Sequence, residues 1–190
     1  MTLLLLGLIL FLGTHSVSIL APAWRRGWIE RHGEKPWKGL YSVLSLAGFA
    51  LLIVGYGWAR QSPVVLWSPP LWSRHLALLL MLPVFPLLLA AYLPGRIRAA
   101  AKHPMLVAVK LWALAHLLAN GTLADLLLFG GFLAWAVADR ISVKRHPRGP
   151  VPGAPERPAN DLIALGAGLL LYALFLTRAH AWLFGVSPLG

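Results

Sequence analysis

The sequence predicts an all-α protein, a polytopic membrane bundle of about six transmembrane helices with both termini on the non-cytoplasmic side. Three observations carry that prediction. The 190 residues are 58% apolar and only 12% charged, against about half and about a quarter in an ordinary soluble domain. A soluble core of this size hides only about two-thirds of the surface of its unfolded chain, so a soluble enzyme, a disordered tail and a disulfide scaffold are all excluded. The apolar residues fall into six runs, each near the roughly 20 residues that cross a bilayer, and the basic residues fall on alternate connections between them.

Taken in order, the spans run from about Leu3 to Trp24, Gly39 to Ala59, His75 to Leu93, Pro104 to Asn120, Thr122 to Asp139 and Asp161 to Phe184. The first, Met1 to Ala23, reads as a span and not as a cleaved leader, because it lacks a basic start and runs straight into Arg25-Arg26. Pro83 and Pro86 should kink the third, since each removes a backbone donor. The fourth and fifth are short and joined by Asn120-Gly121, which predicts a helical hairpin. Before the last span, residues 140–160 carry Pro147, Pro150, Pro152, Pro155 and Pro158 and read as an extended cytoplasmic linker within a single transmembrane domain covering residues 1–190.

Cytoplasmic loops carry the positive excess of a membrane protein. The first connection holds Arg25, Arg26, Arg31, Lys35 and Lys38; the third holds Arg96, Arg98 and Lys102; the fifth holds Arg140, Lys144, Arg145, Arg148 and Arg157. Only Arg60 and Arg74 lie on the second, and the termini and the fourth connection have none. The net charge of +11 is thus accounted for by topology and lipid headgroups, with no nucleic-acid partner. Trp24, Trp28, Trp37, Trp58, Trp67, Trp72 and Trp182 fall near span ends, where amphipathic rings favour the interface.

With no cysteine, a cofactor or metal must be held by His, carboxylate, carbonyl or Met. Ionisable side chains at membrane depth are costly and point by default to a partner or a task. Here they are His15, Lys110, His116, Asp125, Arg178 and His180. His15 lies among Thr14, Ser16 and Ser18 in an uncharged span, and a buried imidazole of this kind either bonds to another helix or ligates haem iron or another metal. Trp112, His116 and Asn120, spaced four apart, share one helix face suited to a planar ligand or to a polar helix–helix seam. At 1.5 Å per residue His15 and His116 lie roughly 13 and 18 Å from the basic side, close enough in depth to flank one macrocycle.

Asp125 and Arg178 should pair near the outer surface, while His32, His75, His146 and His180 are expected not to be ligands. Arg96, Arg98, Lys102 and His103, just before Pro104, form a basic collar that reads either as a positive-inside loop or as a clamp for carboxylates and phosphates, including haem propionates.

The stretches His103-Pro104-Met105, Trp112 through His116 to Asn120-Gly121, Leu127 through Gly131 and Asp139-Arg140, together with Gly13-Thr14-His15-Ser16, resemble the NnrU family of bacterial integral membrane proteins. That family is associated with denitrification and is related to the plant zeta-carotene isomerase, a haem b protein. The resemblance implies a multi-pass protein of the bacterial inner membrane that binds haem b through His15 and His116, with Trp112, Asn120, His103, Lys102 and Arg98 nearby. It implies a redox, sensing or accessory role beside a membrane reductase or electron-transfer partner. It also leaves open cis–trans isomerisation of a small apolar polyene, or a non-haem accessory factor. Ala113 stands where the plant isomerase has a cysteine, so ligand exchange through that thiol is not available to this chain.

Overall fold

The computed structural model describes residues 1–147, 149 and 151–189; Arg148 and Pro150, counted above with the basic and Pro-rich connection, lie outside the described residues. Helices α1 (Thr2–Leu20), α2 (Pro22–His32), α3 (Glu34–Ala59), α4 (Leu71–Met81), α5 (Val84–Ala90), α6 (Arg96–Ala101), α7 (Pro104–Ala119), α8 (Leu123–Arg145), α9 (Asn160–Leu174) and α10 (His180–Phe184) follow one another, with a π-helical turn, Phe175–Ala179, between the last two.

Five stretches, Thr2–Leu20, Glu34–Ala59, Leu71–Ala90, Leu123–Arg145 and Asn160–Phe184, are long and apolar enough to cross a membrane. The expected fourth span, α7, is a shorter apolar helix of 16 residues. At 1.5 Å per residue that is about 24 Å, less than a bilayer core of about 30 Å. Large apolar side chains such as Ile9, Leu46, Leu79, Leu162 and Leu170 point outward, as lipid-facing positions do and as a soluble monomer avoids.

Several boundaries differ from the sequence expectation. The first span stops at Leu20, not Trp24, because Pro22 forces Ala21 out of helical geometry (φ −135°, ψ 51°). The first connection is helical: α2 is followed at Gly33 (φ 90°) by α3, a corner that a residue with a Cβ adopts only with strain. The fifth span continues past Asp139 to Arg145, since its Lys and Arg residues are good helix formers outside the bilayer. The third breaks at Leu82-Pro83, as its prolines require.

The chain divides into two compact units. One comprises Met1–Ser68 and Asn120–Arg145; the other comprises Pro69–Ala119 and the chain from His146 onward. In the first, α1 packs along α3 and against α8, and α2 folds back on both α1 and α3. The closeness of α1 and α3 comes from small residues: a Cβ on Gly48 would sit 2.7 Å from the Phe11 nitrogen, and one on Gly55 would overlap the Leu4 backbone. In the second, α7 packs on α4 and α5, and α9 packs on α5. The two halves of the expected hairpin therefore each pack within their own unit. The Asn120-Gly121 turn is held instead by Leu66 and Trp67, whose N–H groups donate to the Gly121 carbonyl at 2.8 and 3.1 Å.

Candidate functional site

In the first unit, the α1 positions that meet the glycines of α3 continue up the helix from Leu4 through Phe11 to His15. The ring of His15 stacks on Phe11 (centroids 4.2 Å apart), lies 5.2 Å from Tyr41 of α3 and meets Trp135 of α8 edge-on at 5.9 Å. His15 Nδ1 is 2.7 Å from the Phe11 carbonyl. A carbonyl only accepts, so Nδ1 carries the proton and the ring's lone pair is on Nε2. The nearby hydroxyls are occupied by α1 itself: Thr14 donates to the Leu10 carbonyl and Ser16 to that of Leu12, both at 2.6 Å. By contrast the buried indole N–H of Trp135 has no hydrogen-bond partner among the described residues.

In the second unit, His116 is held in the same manner, with Nδ1 2.8 Å from the Trp112 carbonyl and the Trp112 ring 5.3 Å away. The face predicted to include Asn120 stops short: α7 ends at Ala119, and Asn120 is the first residue of the other unit's second segment. The imidazole found with His116 is instead His180, centroids 6.5 Å apart and ring planes 25° apart. The sequence assigns His180 no ligand role; a π turn, Phe175–Ala179, immediately precedes it.

The basic collar is built from backbone as much as from charge. Asp161 of α9 accepts the N–H of Arg96 (2.8 Å) and of Ile97 (3.0 Å), capping α6. Asn160, 2% exposed, donates to the carbonyls of Pro94 (2.7 Å) and Pro155 (3.0 Å). Arg98 donates to the Val151 carbonyl at 3.2 Å, so part of its guanidinium holds the Pro-rich connection. Lys102 has φ 59° and ψ −45°, and His103 N–H donates to the Ala101 carbonyl at 2.6 Å across it. That is a γ-turn of the strained, positive-φ kind, placed at the start of α7.

Asp125, expected near the outer surface, is 4% exposed and has partners within its own unit: Tyr56 donates to Oδ1 at 2.5 Å, and the Thr122 N–H and hydroxyl donate to Oδ2 at 2.9 and 2.6 Å. With the Asp125 N–H returning to the Thr122 hydroxyl, this is a capping box at the start of α8. Trp37 is 8% exposed, covered by Trp24 and Trp28 with edge contacts at 6.0 and 5.5 Å and by the Arg25 guanidinium at 5.6 Å; Trp182 is 84% exposed.

Apolar helices of spanning length, with outward apolar faces, define an all-helical membrane protein. The family model described as NnrU protein matches residues 3–188, and the chain belongs to the NnrU family. No curated protein and no solved structure matches it.

Proposed function

We propose that the protein is a multi-pass haem b protein of the bacterial inner membrane, with His15 and His116 as imidazoles prepared for iron. The observation that carries this reading is the tether they share: each ring gives its Nδ1 proton to the carbonyl four residues back on its own helix. A hydrogen bond of this kind fixes tautomer and ring orientation and raises the basicity of the ligating nitrogen. Two helices that share no sequence context hold their histidines in the same way, among aromatic rings suited to a flat ligand. The donor set fits: neutral imidazoles with Nε2 as the ligating atom suit haem iron. Arg98, Lys102 and His103 provide the positive charge that carboxylate side groups require, and Trp112 the flat apolar wall.

Bound haem would supply one-electron exchange and, on loss of one ligand, an open position. The residues of the chain hold and orient it and exclude water. This suits a redox, sensing or accessory role in nitrite and nitric oxide reduction, beside a membrane reductase or electron-transfer partner, with both termini on the non-cytoplasmic side. One observation favours a second reading, isomerisation of a polyene lipid: the third span is interrupted at Leu82-Pro83, a place for lateral access from the bilayer. Absorption spectra of the purified protein, oxidised and reduced, test the haem reading. A Soret band with sharp reduced α and β bands is expected; a colourless protein from haem-replete cells contradicts it and favours the accessory factor.

A further inference from the structure

We infer that the connection between α3 and α4 is a lipid anchor: Val64, Val65, Leu66 and Trp67 seat in the surface of the bilayer leaflet at that end of the first unit, among headgroups and acyl chains and not in the aqueous phase. This stands on the membrane fold and is independent of the haem reading.

Three observations support it. First, the segment is apolar and uncharged. No charged residue lies between Arg60 and Arg74, whereas the first connection holds Arg25, Arg26, Arg31, Lys35 and Lys38. Val64, Val65, Leu66 and Trp67 are 37–63% exposed. Apolar residues scattered singly over a surface are ordinary, but a contiguous patch marks a face that meets something apolar.

Second, the backbone is prepared for lipid. Non-helical chain is tolerated at membrane depth only where its polar groups find partners within the protein. Leu66 and Trp67 donate to the Gly121 carbonyl at 2.8 and 3.1 Å, the Val64 carbonyl accepts the Leu123 N–H at 2.8 Å, and Gln61 N–H donates to the Trp58 carbonyl at 3.1 Å. Val65 pairs with Thr122 as an antiparallel bridge. Pro63, Pro69 and Pro70 have no N–H to satisfy. The platform under the loop is firm: Thr122 belongs to the capping box of α8, and a Cβ on Gly121 would overlap the Trp67 carbonyl. Backbone pinned in this way keeps the apolar side chains turned outward.

Third, continuity fixes the occupant. α3 is long and apolar enough to span, and its side chains Ile53, Val54 and Trp58 near this end are exposed. Residues 64–67 carry that lipid-facing surface past the end of the helix, and the Trp67 ring, an apolar body with one N–H donor, suits the headgroup boundary. The segment offers no charge with which to steer a soluble protein.

The chain has no cysteine, so one substitution gives one labelling site. Full-length Val65→Cys carrying a nitroxide label, in vesicles of phosphatidylethanolamine and phosphatidylglycerol, is compared with Ile9→Cys on the outward side of α1 and Glu156→Cys in the exposed Pro-rich connection. Electron paramagnetic resonance reads collisions with oxygen, which concentrates in lipid, and with a water-soluble nickel chelate. The oxygen-to-nickel ratio at Val65→Cys should exceed that at Glu156→Cys and approach that at Ile9→Cys. Leu66→Cys repeats the measurement should the label at Val65 disturb the fold, and the same ratio is expected there. A ratio at both loop positions equal to that at Glu156→Cys overturns the anchor. Protection from both reagents overturns it too, and assigns the face to a second copy of the chain.

Discussion

The two units hold an imidazole by the same tether to its own helix but build the surrounding helices in different ways. In the first, His15 sits on an uninterrupted 19-residue helix pressed so closely against α3 that glycines are needed where the backbones meet. In the second, the helices are broken: α4 from α5 at a proline, α6 from α7 by a strained turn, α9 from α10 by a π turn. Its pieces are fastened by polar side chains to backbone groups, as Asn160 and Asp161 do. Close packing fixes a ring through shape. Interrupted helices fix it through a few replaceable hydrogen bonds, and can bring two histidines of one unit to the same place.

The contrast is broken most severely at Gly55. Its replacement by leucine should cost about 3 kcal/mol or more, because the new Cβ overlaps the Leu4 backbone and neither helix can yield; thermal unfolding in detergent measures it. Gly13→Ala, on the same helix as His15 but where an added Cβ meets no other part of the described residues within 4 Å, should be neutral or mildly stabilising through helix propensity. Equal effects of the two would show that the small residues do not set the approach of α1 to α3.

In the second unit, Asn160→Ala leaves two carbonyls without their donor and should cost about 2 kcal/mol. Limited proteolysis should then cut the Pro-rich connection sooner than in the wild type. Tyr56→Phe, which removes one of three bonds to a carboxylate that remains capped by Thr122, should lower stability by about 1 kcal/mol. The smallest effect is of opposite sign: Lys102→Gly relieves a positive φ and should raise thermal stability by about 1 kcal/mol. A loss of stability there would place Lys102's contribution in its side chain.

Much of the fold is legible in the sequence because apolar length and proline act locally. Five of the expected spans and the break at Pro83 follow from composition and spacing. Helix ends are less legible, since hydropathy marks where lipid stops and not where backbone hydrogen bonding stops; hence α1 ends early at Ala21 and α8 runs on to Arg145. The company of each site residue is not legible at all. Tyr41 and Trp135 reach His15 from helices distant in sequence, Tyr56 reaches Asp125 across 69 positions, and His180 lies just beyond a π turn.

The proposed holding of haem b by histidine imidazoles is tested most directly by the haem content of purified wild type beside His116→Ala, measured as the pyridine haemochrome per chain. About one haem b per wild-type chain and strong depletion in the variant are expected. A haem-free wild type, or a His116→Ala protein with wild-type haem content, would contradict it.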